Sequence, residues 1–295
     1  MKPTHRILTA VVAGLMLISA SCSRSKRAGD AAAPTAVATG IPPVAELVSA
    51  IGGDSVEVSC LLPDGADPEA FDPGVSAMRR VAGSDIYFSI GSLPFETQLL
   101  NGIGVNNPKL EIINITDSIS PIYGTHGNEP DPHVWMSLRN RRIMARNVLA
   151  ALSRRRPTSA AYFTARYRAL DLQLDSLDRA ITEQLDPVKG RTFIVGHPSM
   201  TYFARDYGLK QLALTQGHKE SSAIALKERM NEAADADALA VISQPGTQGN
   251  TTAELAEKLR LKNIVIDPMS GQTVSQIQEV ARALAPTLPP VGNSL

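Results

Sequence analysis

The chain has 295 residues, with 29 basic and 29 acidic side chains, a formal net charge of zero and 4% aromatic residues. A neutral chain with few aromatic residues lacks the basic, aromatic-rich surface of a nucleic-acid-binding protein, so we exclude nucleic acid as a partner. The length that remains after an N-terminal leader suits two domains of ordinary size.

The first predicted element is an export signal over residues 1–22. Basic residues precede an apolar run at 7–18, and small residues lead up to Cys22. This order is typical of a secretory signal, and the apolar run is too short for a membrane-spanning helix. The end of the segment resembles a bacterial lipobox, in which Cys22 becomes the lipidated first residue, although Ser19 stands where leucine is usual. A cleaved signal with an incidental cysteine is the alternative.

The segment that follows the signal, 23–39, is polar, basic and rich in alanine. It predicts a flexible tether between a membrane anchor and the folded body. Beyond Cys22 the sequence contains one more cysteine, Cys60, so we expect no disulfide within the processed chain. Cys60 ends an apolar, β-branched run and is expected to pack in a strand.

Short apolar runs alternate with helical patterns through both halves of the chain. The runs that predict strands are 56–62, 86–90, 109–115, 192–195, 211–214, 238–242 and 263–266. The patterns that predict helices include 44–51, 75–82, 222–234, 253–261 and 274–285. Alternation of strands and helices is typical of α/β folds with mostly parallel sheets. We therefore predict two α/β lobes.

The most regular helical pattern lies in the middle of the sequence. Apolar residues recur there every three or four positions, at Phe163, Tyr167, Leu170, Leu174, Leu177, Ile181 and Leu185. This spacing predicts a long helix within 157–187, with Pro157 at its start and Pro187 at its end. About 26 residues make a rod of roughly 40 Å. We expect it to join an N-terminal lobe, 40–156, to a C-terminal lobe, 188–295; a helix packed wholly inside one domain is the alternative.

Four candidate metal ligands are spread along the chain, each beside a proline or just after a strand-like run. They are Glu69, His133, His197 and Asp267. Two imidazoles and two carboxylates form a complete first shell for a divalent transition metal. His197 and Asp267 both follow predicted strands, and open α/β sheets bind ligands beyond the carboxyl ends of their strands. The pattern predicts a site that the whole fold assembles between the lobes.

Several other residues compete as ligands on composition alone. Asp67 and Asp72 lie in the same loop as Glu69, and His126 and His218 lie in polar loops flanked by glycine. For these two histidines a solvated role is the simpler interpretation, and whether they help to capture metal stays open.

The motifs together match a known family. They lie at 51–58, 65–68, 131–135, 197–198 with 202–209, 217–220 and 267–270. In this order and spacing, the chain resembles the zinc- and manganese-binding solute-binding proteins of bacterial ABC importers, over about 40–285. The resemblance implies two α/β lobes with mostly parallel sheets, joined by a single long backbone helix, with one metal ion between them. It also implies the ligand set Glu69, His133, His197 and Asp267.

The function that the resemblance implies is transport, without enzymatic activity. We expect an extracytoplasmic, monomeric lipoprotein, anchored through Cys22, that captures the ion and delivers it to an ABC permease. In this family the first ligand is usually histidine, whereas here it is Glu69. An added oxygen ligand shifts preference towards manganese, but a mixed nitrogen and oxygen site still has higher intrinsic affinity for Zn2+ than for Mn2+. We therefore predict zinc first and manganese second.

Two other classes of function remain open at this point. One is a zinc-dependent hydrolase in which His133, His197 and Asp267 bind the metal and Glu69 acts as general base. The other is an adhesin or structural lipoprotein whose metal only stabilises the fold.

Overall fold

The computed structural model describes residues 33–63, 66, 68, 71–107, 109–124, 129–215, 222–245 and 248–286. Within these ranges the strands are β1 Thr35–Thr39, β2 Val56–Cys60, β3 Ile86–Ser89, β4 Glu111–Asn114, β5 Thr192–Val195, β6 Lys210–Ala213, β7 Ala240–Ser243 and β8 Lys262–Val265. The helices are α1 Pro42–Gly52, α2 Val75–Ala82, α3 Pro94–Asn106, α4 Leu138–Arg155, α5 Ala160–Leu185, α6 Thr201–Tyr207, α7 Ala223–Asp235, α8 Gln248–Leu259 and α9 Thr273–Leu284. None of them is both long enough and apolar enough to cross a bilayer.

The strands form two four-stranded sheets with the same arrangement. The strand orders are β2-β1-β3-β4 and β6-β5-β7-β8, and every pair is parallel. In each sheet the chain turns from one side to the other next to the first strand, which places a topological switch point beside β1 and β5. The predicted fold class, two α/β lobes with parallel sheets, is confirmed.

The first strand corrects one sequence-based prediction. The expected tether, 23–39, is wrong over Thr35–Thr39, because these residues form β1 in the interior of the first sheet. The strand contains Ala36 and Ala38, and Ala38 is fully buried. Small side chains suit a strand that is covered on both faces. However, a strand made largely of small residues has few of the large apolar side chains by which a strand is recognised in a sequence. The earlier part of the predicted tether lies outside the described residues.

The long central helix agrees with its prediction. Helix α5 has 26 residues and is flanked by the 3-10 turns Pro157–Ser159 and Asp186–Val188. Every member of the predicted apolar stripe from Phe163 to Leu185 is buried or partly buried. The helix packs on α1 and α4 on the side of the first sheet and on α6 and α9 on the side of the second. It therefore joins the lobes, as predicted.

The lobes also share a hydrophobic core. One cluster of buried side chains runs from Val37 in β1 to Leu284 in α9 and includes Trp135 and Phe203. A smaller cluster, with Ile194 and Leu255, lies within the second lobe. Direct packing between the lobes limits their relative motion, in addition to the constraint from α5.

A buried carboxylate lies where β3 leads into α3. Glu96 is 1% exposed and accepts hydrogen bonds from Tyr87 Oη (3.0 Å), Ser89 Oγ (2.8 Å), Ile90 N (2.9 Å) and Gly91 N (3.2 Å). Burial raises the pKa of the Glu96 carboxyl above its ordinary value, although the four hydrogen bonds oppose the shift. The network holds together the turn that enters α3.

We expect Gly40→Ala to disrupt this network. A Cβ on Gly40 would lie 2.4 Å from Glu96 Oε1 and 3.0 Å from Tyr87 Oη, so the buried carboxylate would have to move. Overpacking of this kind costs about 1–3 kcal/mol of unfolding free energy. Gly102→Ala is the matched control, because a Cβ there meets no heavy atom within 4 Å and alanine in a helix stabilises by about 0.5–1 kcal/mol. Urea unfolding of both variants measures the difference, and equal midpoints would contradict the clash.

Candidate functional site

His133 is held by the residue that precedes its proline. The His133 side chain is buried, and Asp131 Oδ1 lies 2.9 Å from both its Nδ1 and its backbone N. An ionised carboxylate only accepts hydrogen bonds, so Nδ1 carries the ring proton and donates a hydrogen bond to Asp131 Oδ1. A metal ion on this ring would therefore be bound by Nε2. A carboxylate that orients a ligating histidine in this way is a recurrent feature of metal sites.

His197 meets His133 from the other lobe. His197 follows β5, a strand at the switch point of the second sheet, and is partly buried. The two imidazole rings are 5.1 Å apart between centroids and are inclined at 69°. A tetrahedral ion at about 2.0–2.1 Å from one nitrogen of each ring would separate the ring centres by about 5 Å. The observed separation fits two ligands of one ion.

Asp267 lies in a turn that follows β8. Its Oδ1 accepts a hydrogen bond from Met269 N at 2.9 Å, and its backbone N donates to Gln276 Oε1 at 2.9 Å. The next residue, Pro268, accepts a hydrogen bond through its carbonyl oxygen from Trp135 Nε1 at 2.8 Å. The Asp267 turn is therefore fastened to the opposite lobe, close to His133.

The only tryptophan in the sequence connects these parts of the cleft. The Trp135 ring is fully buried and lies 5.1 Å from the ring of His133, measured between centroids. Trp135 therefore contacts both ligand-bearing segments, His133 through its ring and the Asp267 turn through the hydrogen bond to Pro268.

The predicted ligand set is only partly assembled by the described residues. Within the described ranges, no three side chains of the His, Cys, Asp and Glu types form a group able to hold one ion. Glu69 lies outside these ranges, as do Asp67, His126, His218 and Cys22. The structure brings His133 and His197 together and fastens the Asp267 turn nearby, and the four-ligand set stays a prediction.

Phe71, two residues after Glu69 in the sequence, is held by aromatic packing. Its ring packs edge-on against that of Phe95 with centroids 5.3 Å apart. Phe95 precedes the buried Glu96, so Phe71 packs beside the network at the start of α3. Asp72, the next residue, is exposed.

Two contributors to the site were not predicted as such from sequence. Asp131 was recognised only as part of the Asp-Pro-His motif, and Tyr202 only as part of a family motif. Asp131 orients His133, and Tyr202 donates a hydrogen bond to the Asp131 carbonyl oxygen at 3.1 Å. The spacing of Asp131 from His133 contains a usable signal, because a carboxylate two residues away is able to reach Nδ1. The contact from Tyr202, 71 residues away, has no such local signal.

Comparisons with known proteins agree with these features. A family model described as "ZnuA: Zinc-uptake complex component A periplasmic" matches residues 37–288. The chain is 26% identical over 285 residues to the zinc-binding lipoprotein AdcA of Streptococcus pneumoniae (strain ATCC BAA-255 / R6), which covers 90% of this chain and 55% of AdcA. It therefore spans about half the length of that relative.

A second relative and a solved structure match this chain over most of their own length as well. The manganese ABC transporter substrate-binding lipoprotein PsaA of Streptococcus pneumoniae serotype 4 (strain ATCC BAA-334 / TIGR4) is 22% identical over 220 residues, which cover 71% of this chain and 70% of PsaA. A crystal structure of ZnuA superposes with a TM-score of 0.78 at 27% identity, covering 85% of this chain and 99% of that one.

Proposed function

The chain belongs to the ZnuA family of metal-binding, substrate-binding proteins of ABC transporters, and from this premise we propose that it captures one divalent transition-metal ion between its lobes. Its ligands are Glu69, His133, His197 and Asp267. The ion is the transported substrate, which the protein delivers to an ABC permease.

The contact between the two histidines carries this proposal. His133 and His197 come from different lobes, and their rings lie 5.1 Å apart. Asp131 Oδ1 lies 2.9 Å from Nδ1 of His133, so the proposal assigns metal coordination to the other ring nitrogen, Nε2. Asp267 follows a strand of the second lobe, and its turn is fastened to Trp135. The two carboxylates would offset the charge of a dication, and together with the two imidazoles they would close its first shell.

Zinc is the proposed ion, and manganese is the second candidate. Two imidazoles favour zinc, and the higher intrinsic affinity of zinc over manganese for a mixed site points the same way. Glu69 supplies an additional hard oxygen ligand, which makes the preference for zinc over manganese smaller. The name of one relative states zinc and that of another states manganese, so relatives of both kinds exist.

The hydrolase alternative is set aside. Members of the family are components of a transport system and not enzymes. In the proposed site a fourth protein ligand occupies the position that a catalytic zinc keeps open for water.

The proposed location is the periplasmic or cell-envelope side of a membrane. We propose that Cys22 is lipidated and anchors the protein, which acts as a monomer. AdcA and PsaA both have names that include lipoprotein, which supports the anchor. Mass spectrometry of the N-terminal peptide tests it, since Cys22→Ser should remove the lipid mass and release the protein from membranes.

Metal titration of the body that begins after Cys22 tests the main proposal. The protein is stripped with a chelator and titrated with zinc, and then with manganese in competition with zinc. Trp135 provides the signal, because its ring lies 5.1 Å from that of His133 and metal on His133 should change its fluorescence. We expect one ion per chain, with zinc displacing manganese.

The outcomes separate the remaining classes of function. Reversible rebinding to a stripped protein that stays folded supports capture and delivery. A stripped protein that unfolds indicates a metal whose role is to stabilise the fold. The absence of stoichiometric binding of either metal would overturn the proposal.

A further inference from the structure

The tyrosine hydroxyl that touches the His133 segment belongs to the opposite lobe. Tyr202 lies in α6, the helix that follows His197, and is fully buried. Its hydroxyl donates a hydrogen bond to Asp131 O at 3.1 Å and accepts one from Ile122 N at 3.2 Å. A side chain of the second lobe is therefore bonded to two backbone groups of the first.

These bonds complete a pairing between two backbone segments. Asp131 N donates directly to Ile122 O at 2.8 Å. The reciprocal bond, from Ile122 N to Asp131 O, is replaced by the hydroxyl of Tyr202, which bridges the two groups. Without the hydroxyl, a buried carbonyl and an amide would both lose their partner, which is costly away from water.

We propose that Tyr202 is a positioning residue for metal binding, which fixes the Asp131 backbone so that the Asp131 carboxylate directs the His133 imidazole towards His197. This inference rests on the proposed function, because it assigns a role within the same site. Tyr202 does not itself bind the ion.

The surroundings of Tyr202 suit this role. Burial raises the pKa of its phenol above the ordinary value, so the hydroxyl stays protonated and able to donate. The guanidinium of Arg205 lies 5.0 Å from the centre of the Tyr202 ring and donates to Asn140 Oδ1 at 3.2 Å. Asp206 accepts a hydrogen bond from Ser137 Oγ, and Ser137 caps the start of α4. Helix α6 is thus held against the first lobe at Tyr202 and again about one turn later, at Arg205 and Asp206.

The coupling also follows from chain order. His197 and α6 are joined by a short segment in which Ser199 N donates to His197 O at 2.8 Å. A displacement of α6 therefore changes the position of His197 and, through Tyr202, that of His133. Both imidazoles depend on one helix.

The decisive experiment compares two tyrosines of the same helix. Tyr202→Phe removes the bridge to Asp131. Tyr207→Phe removes a hydrogen bond of similar length, 3.0 Å, from a buried tyrosine to Asp178 in α5, a helix that carries no proposed ligand. Zinc affinity and the zinc dissociation rate are measured by chelator competition, and the melting temperature is measured on the stripped proteins.

We expect Tyr202→Phe to weaken zinc binding about 10-fold, as is usual when support for a ligating histidine is lost, mainly through faster dissociation. Tyr207→Phe should leave the zinc affinity within about 2-fold of the wild type, even where its melting temperature falls equally. Equal zinc affinities in the two variants would overturn the inference. A wild type that binds no zinc would instead overturn the proposed function, and this inference with it.

A double variant tests the route through Asp131. Asp131→Asn alone removes the carboxylate that orients His133. If Tyr202 acts through Asp131, adding Tyr202→Phe to Asp131→Asn should weaken zinc binding by much less than its 10-fold effect alone. Full additivity of the two effects would contradict the proposed route, and Tyr207→Phe in the same background serves as the additive control.

Discussion

Replacing His133 or His197 by alanine is expected to weaken zinc binding by roughly 100-fold or more, at least about 2.7 kcal/mol of binding free energy. Each change removes one of two nitrogen ligands whose rings lie 5.1 Å apart, and water is a weaker replacement. The stripped variants should stay folded, because only the cleft is altered. Titration followed by Trp135 fluorescence measures the loss.

Two further variants make the result specific. Asp131→Asn keeps both imidazoles and removes only the orienting carboxylate, so we expect an intermediate loss of about 10- to 100-fold. His126→Ala makes the same chemical change at a histidine that is not a proposed ligand, and we expect little loss of zinc affinity. A loss at His126 as large as that at His133 would move the site away from the residues proposed here.

Glu46→Gln is expected to lower the free energy of unfolding by about 3–5 kcal/mol, the usual cost of leaving a buried charge unpaired. Arg141 in α4 is 1% exposed, and its Nη2 lies 2.8 Å from Glu46 Oε2 in α1. Among the described residues, no hydrogen-bond partner is found for Nε and Nη1 of Arg141. Burial lowers the pKa of Arg141, and Glu46 opposes this shift. Glu46 is thus the acidic partner of a guanidinium that stays charged inside the protein.

Removing the other partner of this pair, Arg141, should lower the free energy of unfolding much less. Arg141→Met places an apolar chain of similar length in the same space, and Glu46, whose side chain is 29% exposed, is then hydrated. Replacement of a buried charge by a well-packed apolar residue is often neutral or stabilising. We expect Arg141→Met to be near neutral and to restore most of the stability of Glu46→Gln in the double variant. Urea unfolding of the stripped proteins measures all three, and equal costs for the two single changes would contradict this account.

The contacts between lobes bear on how a bound ion leaves. Trp135 donates a hydrogen bond to the Pro268 carbonyl oxygen, and Tyr202 donates one to the Asp131 carbonyl oxygen. Buried side chains of both lobes also share one hydrophobic core. Such a structure opposes a wide hinge motion, so release of the metal at the permease is expected to begin with loosening of individual ligands. A zinc dissociation rate that is faster in Tyr202→Phe than in Tyr207→Phe would support release through loosening of individual ligands.

Most elements of the fold could be predicted from sequence because their signals are local. The period of three to four residues in α5 and the apolar runs of strands such as β5 and β7 reflect burial of one face or of whole short segments. Strand β1 was missed because its small residues, including Ala36 and Ala38, do not show that pattern. Its burial is decided by neighbours on both sides, β2 and β3.

The features of the candidate site also fall into those with a local sequence signal and those without one. Residue types and short-range spacing were enough to predict the family, the alternation of strands and helices, and the candidate ligands. Four contacts became visible only in the folded protein: His133 meets His197, Asp131 orients His133, Tyr202 bridges from the other lobe, and Arg141 pairs with Glu46. These contacts join residues far apart in the chain, and the packing of α4, α5 and α6 between the two sheets selects which side chains face each other.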